Sequence, residues 1–170
     1  ATFTQNTYTL TKILGEQLCH LYYENHGLPY TTLRLFNAYG PGQALGYFIP
    51  DQIAKAQKGS IDLQGSNITK DWVYVTDVAE AFARAIDTSF VGPVNIGAGV
   101  ETDLGTIAGI IARHYETTLR IAPAENPTRM CASWRRARVT LGGWRPTVSL
   151  EEGLGHIFQE LKAPPMALVR

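Results

Sequence analysis

Cysteine is scarce in this sequence. The 170 residues include only Cys19 and Cys131, and they contain no C-x-x-C pair. Two cysteines are too few for the disulfide framework of a small secreted domain, and the histidines do not have the spacing of a zinc site. We therefore expect a protein of a reducing compartment, the cytoplasm, that has no metal site.

Long apolar runs are also missing. No segment approaches the roughly 18 consecutive apolar residues of a membrane-spanning helix. Residues 1–6 (ATFTQN) lack the basic start and apolar centre of a signal peptide. The sequence therefore predicts that the protein has no membrane partner.

The chain has no excess of either charge. Lys and Arg together number 15, and Asp and Glu together number 15. Proteins that bind nucleic acid by neutralising phosphates usually carry a basic excess, so this partner is disfavoured. The 45% of hydrophobic residues and 18% of charged residues are typical of a globular domain.

Helical and strand-like segments alternate along the chain, which predicts an α/β fold. Apolar residues recur at helical spacing from Thr7 to His26, and Gly27 follows as a left-handed stop. Short strands are predicted at Tyr30–Leu35, Ile61–Leu63, Trp72–Val75, Val94–Ile96 and Leu119–Ile121, and Phe36–Leu45 is predicted to be a loop. Further helices are predicted near residues 50–59, 77–86, 104–115, 133–141 and 149–161.

Two of these helices start with the spacing of a capping box. Asp77 precedes Glu80 by three residues, and Ser149 precedes Glu152 by three. In such a box, the first side chain accepts a hydrogen bond from the backbone three residues later. The sequence therefore predicts that Asp77 and Ser149 are helix N-caps.

Tyr8 and Lys12 are four residues apart in the first predicted helix, so their side chains point the same way. A free tyrosine, with a pKa of about 10, is a poor base at neutral pH, but a neighbouring ammonium favours the phenolate. Such a pair could exchange a proton with a substrate hydroxyl during hydride transfer. The same spacing also arises by chance, so the pair alone does not identify a site.

Further motifs follow this pair in order along the chain. They are Gly27-Leu28-Pro29, Leu33-Arg34-Leu35-Phe36-Asn37, Gly40-Pro41-Gly42, Lys70-Asp71-Trp72-Val73-Tyr74, Val94-Asn95-Ile96-Gly97 and Leu141-Gly142-Gly143-Trp144. From Tyr8 to Leu161, the ordered set resembles the extended short-chain dehydrogenase/reductase family. Within that family, it is most similar to the nucleotide-sugar epimerases and dehydratases.

The resemblance implies the C-terminal part of a Rossmann-like, doubly wound parallel sheet with a small α/β substrate-binding subdomain. Residues 1–45 and about 72–98 would belong to the Rossmann part, and residues 46–71 and 99–162 mainly to the subdomain. The resemblance also implies NAD or NADP as cofactor, a nucleotide-diphosphate sugar as partner, and a homodimer. Tyr8 would be the catalytic tyrosine, and Lys12 would hold the nicotinamide ribose and lower the pKa of Tyr8.

Four residues match substrate-binding positions of the family: Asn37, Lys70, Asn95 and Arg129. Asn37 and Lys70 would contact the diphosphate, and the other two would line the nucleotide pocket. Lys70 stands where the family usually has an arginine, so the charge is kept and the bidentate fork is lost. The segment 130–132 after Arg129 is shorter than the family pattern.

Each of the four also has a structural alternative. Asn37 could cap a turn, and Asn95 could bond within its strand layer. Lys70 could form a solvated ion pair with Asp71. Arg129 lies in an arginine-rich stretch that could cover a solvated helix face.

The glycine-rich cofactor turn of the family lies before the catalytic tyrosine, and only seven residues precede Tyr8 here. The chain thus resembles the C-terminal half of an NAD(P)-dependent nucleotide-sugar epimerase or dehydratase, and we expect these 170 residues alone to be inactive. The reaction would begin by oxidising a sugar hydroxyl. The alternatives are a nucleotide-sugar decarboxylase or keto-sugar reductase of the same family, or a non-catalytic nucleotide-sugar-binding module.

Overall fold

The structure, a computed structural model, describes residues 6–162. The helices in this range are α1 Thr7–His26, α2 Phe48–Gln57, α3 Val75–Ile86, α4 Leu104–His114, α5 Arg135–Thr140 and α6 Leu150–Lys162. The strands are β1 Thr31–Leu35, β2 Asn37–Tyr39, β3 Ser60–Gln64, β4 Thr69–Tyr74, β5 Gly92–Ile96, β6 Glu101–Asp103 and β7 Thr118–Ala122. The predicted order of elements is confirmed except at two places: β2 lies inside the predicted loop, and β6 precedes α4.

Within residues 6–162 the strands form small sheets that are mainly parallel. β1 pairs with β5, β2 with β4 and β3 with β7, each in parallel. β6 joins β4 in the antiparallel direction. Because parallel neighbours need long crossover connections, helices separate the paired strands along the chain. The predicted α/β class is confirmed.

Two clusters of buried side chains hold the sheets and helices together. The larger cluster lies among α2, α4, α6, β3 and β4, and includes Ile49, Ile61, Ile107, Ile111 and Leu154. The smaller cluster packs α3 and α5 against β5, and includes Val78, Val94, Ile96, Leu141 and Trp144. Strand β4 serves both, since Trp72 enters the first cluster and Val73 the second. The division into a Rossmann part and a substrate-binding subdomain stays a prediction.

Helix α1 begins and ends where the sequence predicts. The Asn6 side chain accepts a hydrogen bond from the backbone N–H of Tyr8 at 2.9 Å, and Gly27 ends the helix with φ 66°. No residue of the helix is buried. Its apolar side chains are 44–56% exposed at Leu10, Ile13, Leu14, Leu18 and Leu21. The helix thus lies against the chain with its apolar side chains largely uncovered.

The capping box predicted at Asp77 is wrong. Helix α3 begins at Val75 and has Tyr74 as its N-cap, so Asp77 lies within the first turn. Its buried carboxylate accepts hydrogen bonds from the backbone N–H groups of Thr147 and Val148 at 3.1 Å, and from the Thr147 hydroxyl at 2.7 Å. Asp77 therefore fastens a distant segment to α3.

The second capping prediction is confirmed. The Ser149 hydroxyl accepts a hydrogen bond from the backbone N–H of Glu152 at 3.2 Å, at the start of α6. This bond satisfies one of the free N–H groups in the first turn of the helix.

Candidate active site

Contacts along α1 fix its direction relative to β1. His20 and Tyr23 pack edge-on against Tyr30, just before β1. Further along the strand, Arg34 forms an ion pair with Glu16 at 2.5 Å. Residues with lower numbers in α1 therefore lie beside residues with higher numbers in β1, so α1 runs antiparallel to β1. The first turns of α1 extend toward the carboxyl end of β1.

This direction brings Tyr8 and Lys12 toward the carboxyl edge of the sheet. At about 1.5 Å per residue, Lys12 lies about 6 Å beyond Glu16, and Tyr8 lies about 12 Å beyond it. Asn37 lies about 10 Å beyond Arg34 along the strand. The predicted catalytic pair and the first predicted substrate residue therefore lie at the same end of the molecule.

The contact between Tyr8 and Lys12 exists in the structure. The Lys12 ammonium lies 5.2 Å from the centroid of the Tyr8 ring. Tyr8 is 69% exposed, so its side chain is accessible to a ligand. The spacing of four residues therefore produces the juxtaposition that the sequence predicts, and the role of the pair stays a prediction.

Asn37 lies at the junction between β1 and β4. The backbone N–H of Phe36 donates to the carbonyl of Ile96, which keeps β1 and β5 paired up to this point. The Asn37 side chain then donates from Nδ2 to the carbonyl of Asp71 at 2.9 Å. This bond crosses from β2 to β4, so it is not the turn cap that was the alternative.

The carboxylate of Asp71 organises the loops at this edge. It is 0% exposed and accepts backbone N–H hydrogen bonds from Ala98 at 2.6 Å, Gly99 at 2.7 Å and Ala132 at 2.9 Å. Gly97 packs so closely on this carboxylate and on the Ala132 side chain that a Cβ would collide with both. One buried charge therefore joins the turn after β5 to the segment before α5.

Lys70 points away from Asp71, because successive residues of a strand face opposite sides. The carboxylate of Asp71 binds backbone N–H groups instead, so the alternative ion pair between Lys70 and Asp71 is wrong. Across the ribbon, Lys70 is the partner of Thr102, which lines an open groove together with Trp72 and the segment 146–151. Among the described residues, the Lys70 ammonium has no ion pair or hydrogen bond.

Arg129 is held by an acid that the sequence did not indicate. Its Nε and Nη2 atoms each donate to a different carboxylate oxygen of Glu101 at 2.7 Å, and the Thr69 hydroxyl also donates to Glu101. These hydrogen bonds, above all the one from Arg129, lower the pKa of Glu101 to about 2. Arg129 lies in an irregular segment before α5, so the alternative of a helix face is wrong.

Asn95 lies on the other face of its strand from Val94 and Ile96, which are both buried in the smaller core. It is paired in register with Arg34, which binds α1. Within residues 6–162, its side chain makes no hydrogen bond. Asn95 therefore faces the side of the sheet that carries α1.

The structure does not bring the predicted substrate residues to one face of the β4–β6 ribbon: Lys70 is paired with Thr102 on one face, whereas Glu101, the partner of Arg129, is paired with Asp71 on the other. Asn37 bonds to the strand that carries Lys70, and Glu101, the partner of Arg129, borders the same groove as Thr102. Asn95 is separated from them because it faces α1. Their substrate contacts stay predictions. Across residues 6–162, no cluster of three metal-binding side chains occurs, and no helix is long and apolar enough to span a membrane.

Parallel strands that are separated by helices, with polar side chains at the carboxyl edge, are typical of α/β proteins of the Rossmann kind. The chain belongs to the NAD dependent epimerase/dehydratase family, whose sequence profile matches residues 2–97. The predicted family is thereby confirmed.

Similar proteins support this assignment. The chain is 28% identical to UDP-glucuronic acid decarboxylase 3 of Arabidopsis thaliana over 88% of this chain and 46% of that protein. It is 32% identical to a putative UDP-glucose 4-epimerase of Methanocaldococcus jannaschii over 91% of this chain and 53% of that protein. The chain thus spans about half the length of these curated relatives.

Solved structures of the family share the fold. An epimerase from Methanothermobacter thermautotrophicus matches with a TM-score of 0.84 and 26% identity, covering 94% of this chain and 51% of that one. The UDP-glucose 4-epimerase of Thermotoga maritima, solved with UDP-glucose, matches with a TM-score of 0.80 and 27% identity, covering 91% and 53%. The expected Rossmann-like fold is confirmed.

Proposed function

We propose that the protein containing this chain is an NAD(P)-dependent enzyme that acts on a nucleotide-diphosphate sugar and begins by oxidising a sugar hydroxyl. The observation that carries the proposal is the Tyr8–Lys12 pair at the carboxyl edge of β1, in a chain of this family. Ligands of open α/β sheets bind outside the carboxyl ends of the strands. The T. maritima relative was solved with UDP-glucose, and the relative from Thermus thermophilus with NAD.

Tyr8 and Lys12 fit the demands of this chemistry. The exposed Tyr8 hydroxyl would accept the proton of the sugar hydroxyl, and the Lys12 ammonium lies 5.2 Å from the centroid of the Tyr8 ring. The three N–H donors of the ammonium also suit ribose hydroxyls of the cofactor. NAD or NADP, when bound, supplies the hydride acceptor for the oxidation.

The substrate diphosphate would lie near Lys70 and Asn37, and Arg129 would reach it from the other face of the β4–β6 ribbon, where Glu101 binds its side chain. Phosphate oxygens bind most strongly to charged donors, and Lys70 has no acid partner among the described residues. The open groove beside Thr102 provides space on the same side of the β4–β6 ribbon as Lys70. Asn95, on the α1 side of the sheet, would serve the nucleotide from a separate direction.

The reaction after the oxidation would be an epimerisation or a dehydration. A decarboxylation is the second candidate, and the similarity to three UDP-glucuronic acid decarboxylases of A. thaliana favours it. Both candidates share the first oxidation step, so Tyr8 and Lys12 would have the same role in each.

A homodimer is part of the same proposal. The apolar side chains of α1 from Leu10 to Leu21 are about half exposed, and no residue of the helix is buried. A helix with such a stripe needs an apolar surface to cover it. A second copy of α1 would provide that surface, and sedimentation of the full-length protein would reveal the dimer.

The cytoplasm is the proposed location. Cys19 and Cys131, the two cysteines of the chain, are both free thiols. Free, exposed thiols are typical of proteins that work in a reducing compartment.

Substitution of Tyr8 by phenylalanine tests the catalytic proposal. In the full-length protein with NAD, Tyr8→Phe should lower turnover of UDP-glucose or UDP-glucuronic acid by about 10²–10⁴-fold, the usual effect of losing a general acid or base. Binding of the nucleotide sugar should be unchanged. Tyr22→Phe is the matched control, because Tyr22 is an equally aromatic, 54% exposed residue of the same helix.

Two outcomes would contradict the proposal. If Tyr8→Phe keeps the turnover of the unmodified protein, Tyr8 is not the catalytic acid–base group. If the unmodified protein with NAD binds both UDP-glucose and UDP-glucuronic acid without any turnover of either, the non-catalytic binding module is favoured instead.

A further inference from the structure

Arg129 is an exposed side chain with an unusually defined orientation. The Arg129 side chain is 75% exposed, yet its guanidinium forms a two-pronged ion pair with Glu101, in which both N···O distances are 2.7 Å. A free arginine on the surface would sample many rotamers. The planar fork of the guanidinium matches the two oxygens of a carboxylate, so the ion pair fixes the plane as well as the position.

The other end of this ion pair is anchored to the sheet. Glu101 is the first residue of β6 and is paired with the buried Asp71 of β4. Its carboxylate also accepts a hydrogen bond from the hydroxyl of Thr69, on the same strand as Asp71. The backbone N–H of Thr69 donates to the carbonyl of Thr128, next to Arg129, at 3.0 Å. Both partners of the ion pair are therefore held by β4.

The ion pair leaves part of the guanidinium unused. An arginine has five N–H donors, and Glu101 takes one from Nε and one from Nη2. The remaining donors lie on the opposite edge of a plane that Glu101 holds still. The carboxylate itself has its charge matched by Arg129 and its pKa lowered to about 2, so it stays ionised at neutral pH.

We propose that Glu101 is a positioning residue, which orients the free N–H donors of Arg129 toward the diphosphate of the nucleotide sugar. This inference rests on the proposed function, because it needs a nucleotide diphosphate as the ligand. Glu101 does not touch the substrate. It limits the motion of Arg129 before binding, so less conformational entropy is lost when the diphosphate binds.

The test measures binding of UDP-glucose to the full-length protein by calorimetry. Glu101→Ala should weaken binding about tenfold, the scale of one hydrogen bond to a charged group. Glu101→Gln keeps one acceptor oxygen for Arg129 and should recover part of the affinity. In the Arg129→Ala background, Glu101→Ala should have no further effect, because a positioning residue acts only through the side chain that it positions.

Asp62→Ala is the matched control. Asp62 also pairs with an arginine, Arg120 at 3.3 Å, and its side chain is 61% exposed. This pair lies on the β3–β7 sheet, so its loss should leave UDP-glucose binding unchanged. A general effect of lost surface charge would appear in both variants.

Three results would overturn the proposal. Tighter binding in Glu101→Ala or Glu101→Gln would show that Glu101 competes with the diphosphate for Arg129. An affinity of Glu101→Ala equal to that of the unmodified protein would show that Glu101 does not act through Arg129. The same conclusion would follow if Glu101→Ala weakened binding just as much in the Arg129→Ala background. If the unmodified protein fails to bind UDP-glucose, the proposed function itself is wrong, and this inference is wrong with it.

Discussion

Replacing Asp71 by asparagine should loosen two loops at the carboxyl edge while leaving the shape of the side chain unchanged. The carboxylate is 0% exposed and accepts three backbone hydrogen bonds, from Ala98, Gly99 and Ala132, at 2.6–2.9 Å. An asparagine has one acceptor oxygen and one NH₂ group. In either orientation, the NH₂ group faces at least one N–H donor.

The magnitude follows from counting these bonds. The less costly orientation places the NH₂ group against the N–H of Ala98 and keeps neutral bonds to Gly99 and Ala132. One charged bond is lost, at about 1.5–3 kcal/mol, and two are weakened by about 1 kcal/mol each. The expected local destabilisation is about 3.5–5 kcal/mol, which equals a factor between about 10² and 10⁴ in the local opening equilibrium.

Hydrogen exchange in the full-length protein measures this effect directly. Protection of the amides of Ala98, Gly99 and Ala132 should fall by about 10²–10⁴-fold in Asp71→Asn, since exchange reports local opening. Asp62→Asn removes the same charge from an exposed aspartate and should leave these amides unchanged. If protection in Asp71→Asn stays within about threefold of the unmodified protein, the carboxylate does not hold these loops, and the energies assigned to its hydrogen bonds are wrong.

Three further predictions concern other parts of the chain. Gly153→Ala should lower the melting temperature, because a Cβ would collide with the Tyr39 hydroxyl at an overpacking cost of about 1–3 kcal/mol. Gly155→Ala is the control: its Cβ meets open space in the same helix, so it should raise the melting temperature. Equal shifts of the melting temperature in the two variants would contradict this packing. Partial desolvation, together with the nearby Asp71, raises the pKa of the exposed Cys131 thiol, so alkylation of Cys131 by iodoacetamide should still accelerate above pH 9. An alkylation rate that levels off below pH 8 would contradict the raised pKa. Lys70→Ala should weaken UDP-glucose binding by about 1.5–3 kcal/mol in calorimetry, and this loss of binding free energy should shrink at high salt. A loss that is independent of salt concentration would argue against a contact between charges.

Local patterns predicted much of the fold. The apolar spacing in α1, the left-handed Gly27 and the cap at Ser149 act within one or two turns, so the sequence shows them directly. Strands β2 and β6 have three residues each, which is too short for an alternating pattern to appear.

Long-range contacts decided what the sequence could not show. Asp77 has the spacing of a cap, but Thr147 and Val148 use its carboxylate, and they lie far along the chain. The adjacent positions of Lys70 and Asp71 suggested an ion pair, but successive residues of β4 place the two side chains on opposite faces. No sequence pattern distinguishes a carboxylate that binds distant backbone N–H groups from one that faces solvent.

The candidate site shows the same division. The spacing of four residues was enough to predict the contact between Tyr8 and Lys12. The partnership of Arg129 with Glu101 needed the pairing of β4 with β6, which brings residues from different segments together. Glu101, at the start of β6, carries no signal of its own in the sequence.

The uncovered face of α1 has a practical consequence for producing this protein. The ribosome synthesises α1 well before β5, which begins only at Gly92 and is the partner of β1. The apolar side chains of α1 are therefore exposed before the β1–β5 pair can form. An expressed polypeptide that starts near Thr7 would present an apolar helix to chaperones and to other copies of itself, and would collect in inclusion bodies. Polar substitutions at Leu14 and Leu18, both about half exposed, should raise the soluble yield of such a polypeptide at the expense of the proposed contact between two copies of α1.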